Sequence, residues 1–194
     1  MMKKAPKTNA MRILDTHRID YREILYDSDG FMDGVSIAEK LGQPVDKTFK
    51  TLVTVGKSKN HYVFMIPVNA ALDLKSAAAA VGEKSVEMIP VKDITAVTGY
   101  IRGGCSPLGM KKQFRTVVDQ SALDHETILF SGGRRGAQIE MDPRRLPELI
   151  DAVCEIKGVH WVRILYCYPD RVTDKLIDTI ARQPKAVHYF DIPV

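Results

Sequence analysis

The apolar positions of this chain fall into short runs whose spacing switches between the helical period and the extended one. Residues 9–17 read as a helix, with Thr8 or Asn9 as cap and Met11, Ile13 and Leu14 turned inward. Residues 21–26 read as a strand. Ser36-Ile-Ala-Glu39 has the spacing of a capping box that opens a short helix, and Gly42 closes it after Leu41. Residues 50–55 and 61–68 are apolar on both faces around a turn at 56–60, the pattern of paired strands in the middle of a covered sheet. Residues 74–81 form an alanine-rich helix between an Asp73 cap and a Gly82 stop. A short strand at 86–89 and a helical turn or more at 90–97 follow.

The order then breaks. Residues 99–109 read Gly-Tyr-Ile-Arg-Gly-Gly-Cys-Ser-Pro-Leu-Gly. Glycine is costly to order, so such a run needs a reason: bare backbone N–H groups can close on a ligand and form a nest for an anionic or polarised oxygen. Three more strands are predicted at 116–119, 127–131 and 137–141. A second glycine run, Ser131-Gly-Gly-Arg-Arg-Gly136, is read as the loop joining the last two. Asp142-Pro143 opens a helix whose inner face is Leu146, Leu149, Ile150 and Val153. This predicts a mixed α/β fold: one compact domain over 1–156, with a large sheet and helices on it. Residues 157–194 read as a separate β-α-β appendage, with strands at 161–166 and 186–190 around a helix at 174–182. At 38 residues it is too short for a core of its own.

Composition narrows the class. An apolar fraction of 45% and a charged fraction of 27% are ordinary for a globular protein. No apolar run reaches the length of a membrane span, and the basic start of the chain is not followed by the apolar core of a signal peptide, so a cytoplasmic protein is expected. Cys105, Cys154 and Cys167 are odd in number and widely spaced, which argues against a disulfide framework. The five histidines pair with no cysteine at ligand spacing, so neither a metal nor a cofactor is expected. The net charge of +4 is mild, but residues 99–118 carry Arg102, Lys111, Lys112 and Arg115 with no acid, and residues 1–12 carry Lys3, Lys4, Lys7 and Arg12 with none. Basic stretches beside a glycine loop suit a nucleic-acid backbone; on charge alone a solvated surface is the favoured reading.

Three motifs in order carry a resemblance: Phe49-Lys-Thr-Leu52; Gly99-Tyr100 with Gly103-Gly-Cys-Ser-Pro-Leu-Gly109; and Ser131-Gly-Gly-Arg-Arg-Gly136. Together they resemble the YbaK family of Cys-tRNA(Pro) deacylases, relatives of the editing domain inserted in some prolyl-tRNA synthetases, over residues 8–154. The resemblance implies a partly barrel-like editing-domain fold and an enzyme that removes cysteine from mischarged tRNA(Pro). It places Lys50 at the family's essential lysine, and Gly103 to Pro107 at its G-x-x-x-P loop. The catalytic candidates are therefore Lys50, Gly103, Gly104, Ser106 and Pro107. Tyr26, Cys105, Gly132, Gly133 and Gln138 are candidates for holding the substrate, with Gln138 standing where some relatives carry aspartate. Lys111, Lys112, Arg134 and Arg135 are candidates for the tRNA acceptor end, or else solvated charges. A prolyl-tRNA synthetase is the implied partner. The implied chemistry has no protein nucleophile: the cysteine thiol of the substrate attacks its own ester. Other readings are a deacylase for another small amino acid such as alanine, and a non-catalytic tRNA- or synthetase-binding module. The tail, with Trp161-Val-Arg-Ile-Leu-Tyr-Cys-Tyr-Pro169 and Tyr189-Phe-Asp-Ile-Pro193, resembles an internal piece of a radical-SAM methylthiotransferase that lacks its Cys-x-x-x-Cys-x-x-Cys motif. It is read as a non-catalytic remnant or a packed extension.

Overall fold

The computed structural model describes residues 6–28, 32–112, 114–145 and 174–182. Helix α1 (Asn9–Thr16) begins where Thr8 accepts the Met11 N–H, and its Ala10, Met11 and Leu14 are buried. Strand β1 (Arg22–Leu25) follows, then α2 (Gly34–Lys40). Asp33 caps α2, accepting the N–H groups of Val35 and Ser36; Ser36 is therefore inside the helix and not its cap. A carboxylate three residues upstream takes the orphan donors that the Ser36 capping box would have claimed.

Strands β2 (Phe49–Gly56) and β3 (His61–Pro67) pair antiparallel, with Lys50 opposite Ile66. They are the inner strands of a four-stranded sheet ordered β4-β2-β3-β5, where β4 is Val86–Met88 and β5 is Arg115–Val118. Helix α3 (Leu74–Val81) runs from an Asp73 cap to Gly82 at φ +73° and packs Ala77, Ala78 and Val81 on Tyr62 and Phe64. A 3-10 turn, Val91–Asp93, leads into α4 (Ile94–Thr98), ended by Gly99 at φ +84°. The second sheet has three strands ordered β1-β7-β6, with β6 at Ile128–Arg134 and β7 at Ala137–Met141. Beneath it Phe49, Phe130, Ile139 and α1 share one core. The predicted loop 131–136 is mostly strand: β6 continues through the glycines over a register shift between Ser131 and Arg134, and Arg134 still pairs with Ala137. Only Arg135 and Gly136 make the turn, because glycine tolerates the bulge.

The fold is thus the expected mixed α/β one, with two sheets in place of one large sheet and no closed barrel among the described residues. The sheets touch through a parallel bridge from Thr48 to Leu129, and the Leu129 N–H donates to the Lys47 carbonyl at 2.9 Å. The predicted helix face from Leu146 to Val153, the boundary near 156, and the tail strands at 161–166 and 186–190 lie outside the described residues. Within the tail, α5 (Asp174–Arg182) forms where expected.

An ion cluster clamps the junction of the sheets. Glu140 on β7 accepts from Lys47 Nζ and Thr127 Oγ1, each at 2.7 Å, and from Arg22 Nε at 2.8 Å. Burial alone would raise its pKa, but the hydrogen bonds from Lys47, Thr127 and Arg22 outweigh burial and hold the carboxyl at about 2, below an ordinary 4.5. A carboxylate depressed in this way stabilises the fold above its unfolded pKa and loses that contribution as pH falls toward 2; the difference is worth about 3 kcal/mol. Glu140→Gln is expected to lower the urea-unfolding free energy at pH 7 by about 2–3 kcal/mol, with the gap to the wild type narrowing below pH 4.5. A gap independent of pH would show that the carboxylate charge is not what holds the junction.

Candidate active site

The bridge between the sheets also sets which side chains share a face. Thr48 lies beside Leu129, so two residues on, Lys50 falls on the face that carries Ser131. Ser131 is paired with Gln138 on β7, and Gln138 with Ile24 on β1. Lys50, Ser131, Gln138 and Ile24 thus form one row across the two sheets, while Phe49, Phe130 and Ile139 point into the core on the other side.

The partly buried ammonium of Lys50 donates to the carbonyls of Val68 at 2.9 Å and Ala70 at 2.6 Å. An ammonium has three donors, so one remains for a ligand. Burial lowers its pKa below the usual 10.5, opposed by the nearby carboxylate of Asp33. Gly34 is what lets α2 approach: a Cβ there would lie 2.5 Å from Val68 Cγ1.

The glycine loop reaches the same strand from the far end. Gly103 has φ +83°. A Cβ on Gly104 would stand 3.0 Å from Cα and C of Arg134, and Arg135 Nε donates to the Arg102 carbonyl at 2.9 Å. The loop is therefore seated on the β6–β7 hairpin. Arg134 is three residues beyond Ser131 along β6, across the bulge that shifts the register between them. The buried Tyr100 hydroxyl donates to the Leu108 carbonyl at 2.7 Å and ties the two ends of the loop together. Gly104 N–H is used within the loop, on the Ile101 carbonyl at 2.9 Å. The N–H groups of Gly103, Cys105 and Ser106 find no acceptor among the described residues. Unpaired amides on successive residues are the makings of an anion nest.

Other predicted site residues separate into those near this row and those in structural use. Tyr26 follows β1 directly, with its N–H on the Gly136 carbonyl at 2.9 Å; burial raises the phenol pKa, opposed by the Gly136 amide and Arg135. The carbonyl of Gly132 accepts from the Thr8 hydroxyl, and Gly133 lies against Thr8 and the Tyr100 ring. These two glycines give α1 and Tyr100 close access to β6. Pro107 is half-buried at the end of the bend.

Three candidates are in structural use. Ser106 is fully buried, and its Oγ accepts the Leu108 N–H at 3.4 Å, so its side chain serves the turn and faces no substrate. Cys105 packs with Val53, Val63 and Ile89, and burial pushes its thiol up to about 11 despite the Thr98 hydroxyl; it is a core side chain. Arg134 pairs with Glu23 at 2.9 Å and donates to the Pro6 carbonyl at 2.8 Å, which engages it as a brace between the N-terminal segment and β1. Arg115 is likewise engaged, on the carbonyls of Ala80 and Val81 at the end of α3. Lys111 and Lys112 are exposed, and Arg135 keeps its terminal nitrogens without a partner among the described residues. Two residues were missed by sequence reasoning: Ser131, counted only as part of a glycine run, and Asp33, whose signal was an unclaimed cap residue just before a helix.

Comparison with known proteins decides the family. The model of the aminoacyl-tRNA editing domain matches residues 32–149, more than half of the chain. The chain belongs to the aminoacyl-tRNA editing family. A relative of this editing domain from Enterococcus faecalis, provisionally named Cys-tRNA(Pro)/Cys-tRNA(Cys) deacylase EbsC, is 47% identical over 148 residues, covering 76% of this chain and 90% of that one. Two solved structures share the fold at 23% identity. One is the hypothetical protein APE2540, with a TM-score of 0.67 over 75% of this chain and 93% of its own. The other is provisionally described as a trans-editing enzyme for prolyl-tRNA synthetase, with a TM-score of 0.62 over the same shares. The resemblance to a methylthiotransferase is also found. A 51-residue stretch is 47% identical to the ribosomal protein uS12 methylthiotransferase RimO of Lachnoclostridium phytofermentans, covering 26% of this chain but only 12% of that enzyme.

The seating of the loop yields a direct test. Gly104→Ala is expected to cost about 1–3 kcal/mol in urea unfolding, because the new methyl meets backbone and not a yielding side chain. Unchanged stability would show that the loop stands off the hairpin.

Proposed function

We infer that this protein is a trans-editing deacylase that cleaves the aminoacyl ester of Cys-tRNA(Pro). The observation that supports this reading best is that an ammonium group with one free donor stands on the strand bridged to β6, while a loop with unpaired amides is seated on the β6–β7 hairpin. An aminoacyl ester is already activated; what it needs is position and donors where negative charge grows on the carbonyl oxygen. Lys50 and the amides of Gly103 and Cys105 supply those donors, with Gly104 and Pro107 holding the bend in shape. Tyr26 and Gln138 border the space for the acyl group.

Ser106 and Cys105 are both enclosed, which fits a nucleophile supplied by the substrate. In this reading the cysteine thiol attacks its own ester carbonyl. A C–S bond forms, the bond to the ribose oxygen breaks, and the thiol proton leaves with that oxygen; the small cyclic thioester then hydrolyses in water. Cysteine and proline are close in size, so a synthetase pocket separates them poorly and a second sieve is useful. The tRNA end is held by phosphate contacts from Lys111, Lys112 and Arg135. We assign this activity to residues 1–156 and no catalysis to 157–194.

Deacylation of Cys-, Ala- and Pro-charged tRNA(Pro) tests the reading. The cysteinyl ester is expected to be cleaved well above background and the S-methylcysteinyl ester to resist; no cleavage of any ester would leave a binding module only, and cleavage of the alanyl ester would change the substrate. Lys50→Ala should lower kcat/KM at least about 100-fold, the scale of losing one oxyanion donor. A donor must be protonated, so activity should hold below the Lys50 pKa and fall as pH rises through it. Asp33→Asn removes the group that raises that pKa and should move the alkaline limb to lower pH. The double variant Lys112→Glu, Arg135→Glu should raise KM and flatten its salt dependence, with kcat little changed. A salt slope equal to the wild type's would remove both residues from the tRNA contact.

A further inference from the structure

Gln138 is 5% exposed, and its amide oxygen has no hydrogen-bond partner. A buried carbonyl without a donor is costly to the fold, and native structures rarely keep one unless a ligand or water fills it. The neighbouring Ser131 hydroxyl, on the paired residue, accepts the Gly133 N–H at 3.3 Å, and no hydrogen bond joins it to the Gln138 oxygen. Gln138 also lies in the row that contains Lys50, on the side facing away from the core.

We propose that Gln138 reads the α-ammonium group of the bound aminoacyl ester. The inference rests on the reading of this site as an aminoacyl-ester pocket and adds which part of the substrate this residue recognises. Three substrate groups near the scissile bond can donate. The ribose hydroxyl stays with the tRNA end at the cationic rim, whereas Gln138 is enclosed. The thiol is a weak donor, and a carbonyl cannot take the proton that the attack must release. The ammonium has three strong donors one bond from the reacting carbon's neighbour, and its bond to a neutral carbonyl is charge-assisted. The consequence is selectivity for free amino groups: an N-acylated, peptidyl-type ester offers no ammonium and is passed over.

The test compares cysteinyl-tRNA(Pro) with 3-mercaptopropionyl-tRNA(Pro), which keeps thiol and ester and lacks only the amine. The wild type is expected to prefer the cysteinyl ester at least about tenfold in kcat/KM, the scale of a hydrogen bond to a charged group. Gln138→Leu should lose that preference, falling about tenfold on the cysteinyl ester and little on the deamino one; Gln138→Glu, which keeps an acceptor, should retain it. Equal losses of Gln138→Leu on both esters, or no preference in the wild type, would overturn the assignment. A binding arm separates this from failure of the deacylase reading. Calorimetry with 3′-cysteinylamino-3′-deoxyadenosine, whose amide link is not cleaved, and with its deamino analogue should show the same amine preference, absent in Gln138→Leu. If no ester is cleaved and this preference is present, the deacylase reading falls and the role of Gln138 stands. If neither arm shows the preference, the role of Gln138 falls.

Discussion

The two sheets of this molecule meet where Thr48 lies alongside Leu129, and the position of every group in the site follows from that contact. Slide β2 by one residue against β6 and Lys50 would exchange places with Phe49, sending an ammonium into the core and an aromatic ring into the site. The register is held from both sides of the bridge. Phe49 is locked below, among Phe130, Ile139 and α1. Lys47 is locked above, on the Glu140 carboxylate that also gathers Arg22 and Thr127. Arg22 stays open to solvent, but removing Lys47 would leave the well-covered Glu140 carboxylate short of a partner, and this cost resists slipping at a junction with a single bridge.

Much of the fold was legible because local chemistry and tertiary structure agree. Thr8 and Asp73 cap helices as their sequence positions suggest, Gly82 ends α3 in the left-handed conformation, and the doubly apolar β2 and β3 occupy the middle of their sheet. The errors have a common cause. The direction of a side chain inside an irregular loop is set by what packs around it, and no local pattern reports that. Gly103 to Pro107 was correctly singled out as a bend, yet nothing in its spelling says that Ser106 turns inward and Cys105 joins Val53 and Val63. Ser36 has the spacing of a cap, but the helix already starts at Gly34, where Asp33 accepts the N–H groups of Val35 and Ser36.

Charge was misread in the same way. The acid-free stretch from 99 to 118 and the two arginines of the hairpin look alike in sequence, but they divide by occupation. Arg115 closes α3, and Arg134 fastens the N-terminal segment to β1. The planar guanidinium with its fixed fork of donors is suited to holding backbone carbonyls and carboxylates together, whereas the lysines at 111 and 112 stay exposed. The cationic surface left free around the glycine loop is therefore narrower than the run of basic residues suggests.

The contact between Gly104 and the backbone of Arg134 has one more implication. The loop and the hairpin meet there main chain against main chain, so no substitution at 104 can reshape the contact without pushing the hairpin away. Under the proposed reading, a change in the kind of acyl group admitted is then left to side chains, those of Ile24, Tyr26 and Gln138.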